Sequence, residues 1–460
     1  MPRRLVAAAL LFGLPLSPLT PPAAGQTDDA LRREVQRLRA TVTALEDKVG
    51  RIESGTHADA RESDRLRHAT ADALEDARQR ISYQTDRLTA GHDGRFFLES
   101  PDGGFTLNLE GHLQVRYVAN FRDNAPDPAG TPGAPGAGDD VLSGFTLRRT
   151  KLAFTGHLDR GRKFFYGLTA AGEDDFDDGQ FEIESVVIGT HLTPDLKLQA
   201  GQFKLPFARE ELISSKRQLG VDRSLATESF TLDFGQGVLA EYTGLDRLKL
   251  RAMVGDGADT ENLDFDSDDP DVADAAFTVR IDVAARGKAR DGGDVVAWKD
   301  APETLLLGAA GHVQLDDSGS SLSDNFYTWT LDALYKHRGF ATLAAFYALH
   351  TEGDDGRDDF DDYGLVVGTG YSLSDTWQPF VQFNHLDLDD LGDLNAVVVG
   401  VNTFFDKHHA KLTTDVVVVF DPLITPTRLV NRPGTTLGLL PDRPGEDAQV
   451  VFRTQFQLLF

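Results

Sequence analysis

Apolar and polar residues alternate along most of the chain after residue 105, and this is the pattern of β-strands with one apolar and one polar face. The segment 325–336 shows it clearly, with apolar positions at Tyr327, Trp329, Leu331, Ala333 and Tyr335. The intervening positions are mostly polar, and the segment 409–420 repeats the division. One face suits lipid and the other suits water, so the pattern predicts strands that cross a membrane.

About sixteen such strands can be delimited, an even number as in bacterial outer-membrane barrels. The predicted spans are 105–121, 145–158, 163–172, 181–192, 196–204, 230–242, 247–256, 276–287, 304–315, 325–336, 339–350, 362–372, 377–386, 394–404, 409–420 and 449–460. Residues 96–460 are therefore predicted to form an all-β transmembrane barrel of antiparallel strands.

The predicted connections alternate between long and short, as a membrane barrel requires. The longest lie at 122–144, 205–229, 257–275 and 421–448, and tight turns fall between them. One connection departs from the alternation, because 288–303 should be a short turn and is long. A missed strand in that segment would explain its length.

The N-terminal part of the chain has a different pattern. Residues 1–25 have a basic start, an apolar stretch and a small-residue exit, which predicts a secretory signal peptide. Residues 28–89 repeat apolar positions with heptad spacing, which predicts an α-helical coiled coil that self-associates, with a trimer as the expected state. A single helix docked on the barrel is the alternative.

Composition narrows the classes of function. The formal net charge of -27 argues against nucleic acid as a partner. The chain has no cysteine, which excludes disulfides, thiolate metal sites and cysteine nucleophiles. His408 and His409 lie beside a predicted turn without the partners of a catalytic or metal site, so we expect neither an enzyme nor a cofactor.

The last predicted strand ends the chain on an aromatic residue. Val450, Phe452, Thr454, Phe456, Leu458 and Phe460 share one face of it. A C-terminal strand that ends in phenylalanine resembles the signal by which outer-membrane barrels are delivered to their insertion machinery. Phe460 is therefore the predicted assembly signal, and the chain is expected in the outer membrane of a Gram-negative-type cell.

The most specific stretch runs from 196 to 228. It contains Gly-Gln-Phe-Lys-Leu-Pro-Phe at 201–207, followed by Glu210-Glu211, Ser214-Ser215-Lys216 and Asp222-Arg223-Ser224. Together with Leu-Arg-Arg-Thr-Lys-Leu at 147–152, Phe-Gly-Gln-Gly-Val at 234–238 and Val-Gly-Asp-Gly at 254–257, it resembles the phosphate-selective porin O and P family. The resemblance covers about residues 145–257.

This resemblance implies a trimeric sixteen-stranded pore whose third outer loop, 205–229, folds inward and narrows the lumen. The candidate pore constriction and anion-binding residues are Lys204, Arg209, Lys216, Arg217 and Arg223, with Arg149 and Lys151 added because strand parity points them into the lumen. An alternative stays open, in which the loop is solvated and neutralised by Glu210, Glu211, Asp222 and Glu228.

The predicted function is passive diffusion of small hydrophilic solutes, preferentially anions such as phosphate. A pore of general selectivity is an open alternative, because acidic loops at the mouth would concentrate cations. A second hypothesis is a structural or adhesive surface barrel that contacts the cell wall through a periplasmic coiled coil. Asp264, Asp266 and Asp268 are minor candidates for a calcium site, and we favour solvated acidic loops instead.

Overall fold

A computed structural model describes part of the chain, which divides into two compact units, Met1–Asp86 and Arg87–Phe460. The described residues are 40, 43, 44, 88–122, 141–173, 181–260, 262–263, 273–315, 325–353, 358–389, 391–423, 429, 437–440 and 448–460. The predicted signal peptide and nearly all of the predicted coiled coil lie outside them. No helix in these ranges is long and apolar enough to cross a membrane.

The second unit consists of β-strands with a few short helical turns. The strands are β1 (Thr89–His92), β2 (Phe96–Glu99), β3 (Phe105–Arg122), β4 (Val141–Leu158), β5 (Phe164–Glu173), β6 (Glu182–Thr193), β7 (Leu196–Lys204), β8 (Phe234–Leu245), β9 (Leu248–Gly255), β10 (Ala275–Arg286), β11 (Thr304–Leu315), β12 (Phe326–His337), β13 (Phe340–Thr351), β14 (Phe360–Tyr371), β15 (Trp377–Leu388), β16 (Gly392–Asp406), β17 (Ala410–Val419) and β18 (Gln449–Leu459). The helices are α1 (Arg209–Leu212) and α2 (Leu225–Phe230), with 3-10 turns at Ser215–Arg217 and Ala289–Gly292.

Strands β3 to β18 form one closed barrel. Each pairs antiparallel with the next, and β18 pairs back with β3 from Leu459 opposite His112 to Gln449 opposite Arg122. Closure leaves no strand edge open to lipid within this ring. The predicted barrel of sixteen antiparallel strands is confirmed, and the hairpin β1–β2 adds to it by pairing β2 with the start of β3.

Alternation along each strand decides which side chains face outward. On β10, Phe277, Val279 and Ile281 are exposed on the outer face, whereas Arg280 and Asp282 between them are buried inside the ring. A side chain facing hydrocarbon has no water to hydrogen-bond, so the outer positions are apolar and the polar groups point inward. The barrel interior is consequently filled with charged and amide side chains.

One break in the alternation changes the inner face. The pairing of β3 with β4 shifts between Gln114 and Arg116, where Leu147 and Arg148 together oppose one residue of β3. Such a β-bulge re-aims the side chains around the extra residue. As a result the consecutive residues Arg148 and Arg149 both reach the interior, although strict alternation would send Arg148 outward.

The C-terminal residue closes the seam of the barrel. The Gly111 backbone N donates to the Phe460 carbonyl at 2.7 Å, and the Phe460 N donates to the Gly111 carbonyl at 3.1 Å. A Cβ atom on Gly111 would lie 2.2 Å from the Phe460 ring, so only glycine leaves room for this aromatic group. The role of Phe460 as an assembly signal stays a prediction.

Candidate pore site inside the barrel

The connection between β7 and β8, residues 205–233, turns into the barrel and is called the inner loop below. Its backbone is held by inward-facing side chains of the opposite wall, since the Val221 N donates to Asp415 Oδ2 at 3.0 Å. Asn402 Nδ2 donates to the Leu219 carbonyl at 2.8 Å, and Gln455 Nε2 donates to the Val221 carbonyl at 3.1 Å. The inner loop therefore crosses the lumen and is hydrogen-bonded to β16, β17 and β18.

Apolar contacts hold the α2 end of the same loop. The Phe230 ring at the end of α2 stacks on Tyr347 of β13, with centroids 5.8 Å apart and planes 6° from parallel. Gly364 has no side chain and so leaves room for the Phe230 ring, since a Cβ atom at this position would lie 2.6 Å from it. Aromatic stacking and burial inside the barrel make this end of the loop a rigid support.

Glu210 fastens the two short helices of the inner loop together. Its carboxyl accepts from the Ser224 N at 3.2 Å, from Ser224 Oγ at 2.5 Å and from Thr227 Oγ1 at 2.6 Å. Thr227 Oγ1 also contacts the Tyr347 hydroxyl at 2.8 Å. Burial raises the pKa of Glu210 above its usual range, because the hydroxyl and amide hydrogen bonds only partly offset the lost hydration.

Asp222 gathers three arginines from β3 and β4. Its carboxylate accepts from Arg148 Nε at 2.8 Å, from Arg149 Nη2 at 3.0 Å and from Arg116 Nη1 at 3.3 Å. Burial opposes the charged form of Asp222, but the three guanidinium groups outweigh it and hold the pKa well below its usual range. The predicted cation Arg149 thus lies inside the barrel with its charge shared with a carboxylate.

Arg223 and Lys204 also have acidic partners. Arg223 Nε lies 2.7 Å from Glu211 Oε2, and its Nη1 lies 3.3 Å from Glu228 Oε1. Lys204 is paired with Glu211, and its Nζ lies 5.2 Å from the centre of the Phe234 ring. These contacts neutralise much of the cationic charge predicted for the loop.

Arg209 ties the inner loop to the wall on the other side. Its Nη2 lies 2.8 Å from Asp282 Oδ1 of β10, and its Nε is paired with Asp332 of β12. Lys151, on the inner face of β4, is paired with Glu184 of β6. Both cations therefore act first as structural links between elements.

Lys216 and Arg217 are the most accessible of the predicted cations. Lys216 Nζ lies 3.0 Å from Glu110 Oε2, and the Lys216 side chain keeps 27% of its surface exposed. Arg217 is exposed, and its Nη1 donates to the Gly293 carbonyl at 3.4 Å. Asp264, Asp266 and Asp268, the calcium candidates, lie outside the described residues.

Within the described ranges, open space lies beside the inner loop at two places. A cavity of about 360 Å³ lies against β3–β7, and its charged lining balances three basic residues against three acidic ones, namely Lys151, Lys204 and Lys216 with Glu110, Glu184 and Glu211. A cavity of about 150 Å³ lies against β9 and β10, and its charged lining consists of Arg209, Lys249, Arg251, Arg280, Arg290 and Asp282. We call this second space the basic cavity.

The basic cavity contains cations that sequence inspection did not select. Arg251 Nη2 lies 2.7 Å from Asp282 Oδ2, and Lys249 Nζ lies 2.7 Å from Glu241 Oε2. Arg280 Nη1 lies 2.7 Å from Asp332 Oδ2. The alternation of inward and outward positions along β9 and β10 could have identified these residues as facing the lumen. It could not show that they border the same open space as the inner loop.

The family comparison agrees with this architecture. The model of the family described as phosphate-selective porin O and P matches residues 135–294, a range that contains β4–β10 and the inner loop. The resemblance predicted from residues 145–257 is confirmed by this match, and the matched segment includes most of the basic residues named above. No curated protein matches the sequence.

Solved structures show the same fold at low identity. The chain resembles an anion-selective porin from Comamonas acidovorans with a TM-score of 0.53 and 12% identity, over 77% of this chain and 100% of that one. It also resembles the outer-membrane expressed OmpT of Vibrio cholerae, with a TM-score of 0.50 and 11% identity over 78% and 98% of the two chains. A trimer form of that protein matches with a TM-score of 0.50 and 12% identity, over 78% of this chain and all of that one.

These likenesses establish the barrel fold. Together with the family match over residues 135–294, they support a porin-like passive channel of the outer membrane. They give no support to the adhesive alternative.

Proposed function

We propose that the protein lets small hydrophilic solutes diffuse across the outer membrane and that it favours anions. The long connections would face the medium and the short ones the periplasm, as bacterial barrels are oriented. The inner loop then enters from the outside and narrows the lumen. Phosphate is the natural first solute to test because the matching family is described as phosphate-selective.

The charge around the basic cavity carries the preference for anions. Five basic side chains border it, and three carboxylates neutralise them, namely Asp282 in the lining with Glu241 and Asp332 as ion-pair partners. The excess of positive charge lies in a narrow space with protein walls, where field lines are focused and the local anion concentration rises. The larger cavity is balanced in charge and adds width without a strong preference.

Assembly and targeting complete the proposal. The coiled coil predicted at 28–89 would lie in the periplasm after removal of the signal peptide at 1–25, and Phe460 would direct the barrel to its insertion machinery. A homotrimer is proposed, since the trimer form of OmpT has the same fold and heptad helices commonly associate. Contact of the coiled coil with the cell wall belongs to the same proposal.

Single-channel recording in planar bilayers tests the function. Stepwise conductance and a reversal potential of anionic sign are expected for the native protein, with phosphate lowering the chloride current. Absence of stepwise conductance would refute the channel function. A reversal potential of cationic sign would refute the role of the basic cavity in selectivity.

The variant Lys216→Glu with Arg217→Glu tests the accessible cations. Four units of charge change beside the lumen, so the anion preference should fall at least about fivefold at low salt. The matched control is Arg160→Glu with Lys163→Glu, which makes the same change on an exposed turn between β4 and β5. An ion preference equal to that of the control would exclude Lys216 and Arg217 from selectivity.

A further inference from the structure

The connection between β10 and β11, residues 287–303, is unlike the others at its end of the barrel. The turns between β6 and β7, β8 and β9, and β12 and β13 are two residues long, at 194–195, 246–247 and 338–339. The long connection contains the 3-10 turn Ala289–Gly292 and no further strand. Its length therefore has a cause other than the missed strand considered from the sequence.

This connection, called the strap below, is fastened to the ends of other strands. Lys336 Nζ at the end of β12 donates to the carbonyls of Asp291 at 2.9 Å and Asp294 at 3.2 Å. Ser372 Oγ, after β14, donates to the Ala297 carbonyl at 2.8 Å. These anchors belong to strands that are not neighbours of β10, so the strap extends across the mouth.

Further contacts hold the far end of the strap. Asp294 Oδ2 lies 3.0 Å from His408 Nε2 in the turn between β16 and β17. Val296 is buried, and the Trp298 ring meets the inward ring of Phe404 edge-on with centroids 4.9 Å apart. A segment held at three strand ends with buried apolar residues is a fixed part of the barrel mouth.

The strap meets the inner loop inside the lumen. The Gly293 carbonyl accepts from Arg217 Nη1 at 3.4 Å. A Cβ on Gly292 would lie 3.0 Å from Arg209 Nη1 and 2.8 Å from Leu306 Cδ1, so the two segments are closely packed there. The basic cavity lies at this meeting point, with Ala289, Arg290, Gly292 and Gly293 forming its strap side.

Arg290 differs from the other cations of the basic cavity. It is exposed, and it forms no ion pair with any residue of the described ranges. Lys249, Arg251 and Arg280 are each within ion-pair distance of a carboxylate. The charge of Arg290 is therefore the least compensated at this point of the lumen.

We infer that the strap is a second constriction, at the end of the barrel with short turns, and that Arg290 is a specificity-determining residue for anions passing it. The inference rests on the proposed channel. The inner loop narrows the lumen from one end and the strap from the other. An anion that leaves the basic cavity on the strap side passes the uncompensated guanidinium of Arg290.

Charge reversal at Arg290 tests the residue. Arg290→Glu should shift the permeability ratio toward cations at least about fivefold in low salt, for a charge about 8 Å from the permeating ion. The matched control is Arg286→Glu, because Arg286 ends β10 just before the strap and is exposed opposite outer-face Leu305. An equal shift in both variants, or no shift in either, would overturn the role of Arg290.

Shortening tests the strap itself. Replacement of residues 288–303 by an Asn-Gly turn should raise single-channel conductance roughly twofold, because a segment that covers part of the mouth is removed. Unchanged conductance with a folded barrel would overturn the second constriction, and if the shortened protein does not fold, Arg290→Glu still decides. These outcomes are separate from failure of the proposed function, in which the native protein itself would not conduct.

Discussion

Asp222 offers the most direct test of how charge is arranged in the lumen. The substitution Asp222→Asn keeps the size of the side chain and removes the charge that Arg116, Arg148 and Arg149 share at 2.8 to 3.3 Å. Removing the carboxylate from a buried ionic cluster takes away compensating charge, and such changes cost about 3–5 kcal/mol. The free energy of unfolding should therefore fall by this amount.

The same substitution should strengthen the preference for anions. One added positive charge about 8 Å from an ion in water alters its energy by about 0.5 kcal/mol, with opposite signs for anions and cations. The difference of about 1 kcal/mol corresponds to roughly a fivefold higher anion-to-cation permeability ratio. Low salt is required, because the Debye length is about 30 Å at 0.01 M and about 8 Å at 0.15 M.

Two measurements on one preparation check both parts. Urea titration of the barrel in lipid vesicles gives the free energy of unfolding, and reversal potentials under a salt gradient give the permeability ratio. Asp195→Asn is the matched control, since Asp195 lies on an exposed turn between β6 and β7. If Asp222→Asn behaves like this control in both measurements, the carboxylate does not neutralise the three arginines.

Two further predictions concern stability. Burial raises the pKa of Glu210, so its contribution to stability is present below pH 4.5 and is lost as pH rises through the folded pKa. The free energy of unfolding of Glu210→Gln, measured by urea titration, should therefore equal that of the native protein at pH 4 and exceed it at pH 8. A variant that is less stable than the native protein at pH 8 would contradict this. Gly111→Val places a Cβ atom against the Phe460 ring and should lower the free energy of unfolding by about 1–3 kcal/mol through overpacking. Adding Phe460→Leu should recover part of this loss. An unchanged free energy of unfolding in Gly111→Val would show that the ring moves aside freely.

The sequence by itself determined the barrel. Alternation in segments such as 325–336 fixes which side chains face lipid, because a polar group in hydrocarbon has no partner, and this requirement acts on each strand separately. The strand count follows from the same local signal together with the turns between strands. The resemblance to the porin family was also readable, because the motifs at 201–207 and 147–152 are short and continuous.

Only the tertiary structure decided how the charges in the lumen are paired. Arg148 faces Asp222 because a β-bulge shifts the register, and alternation alone predicts the opposite face. Whether a loop cation is compensated depends on contacts between residues far apart in the chain, such as Arg209 with Asp332. Ion pairing depends on distances of a few ångströms, which the order of residues in one strand does not set.

The strap shows the same limit. Its length was visible in the sequence as a departure from the alternation of connections, but its course across the mouth was not. Lys336, Ser372 and His408 hold it from strand ends that closure of the barrel brings together. The strand pattern specifies each wall segment locally, whereas the position of a segment inside the barrel depends on the assembled walls.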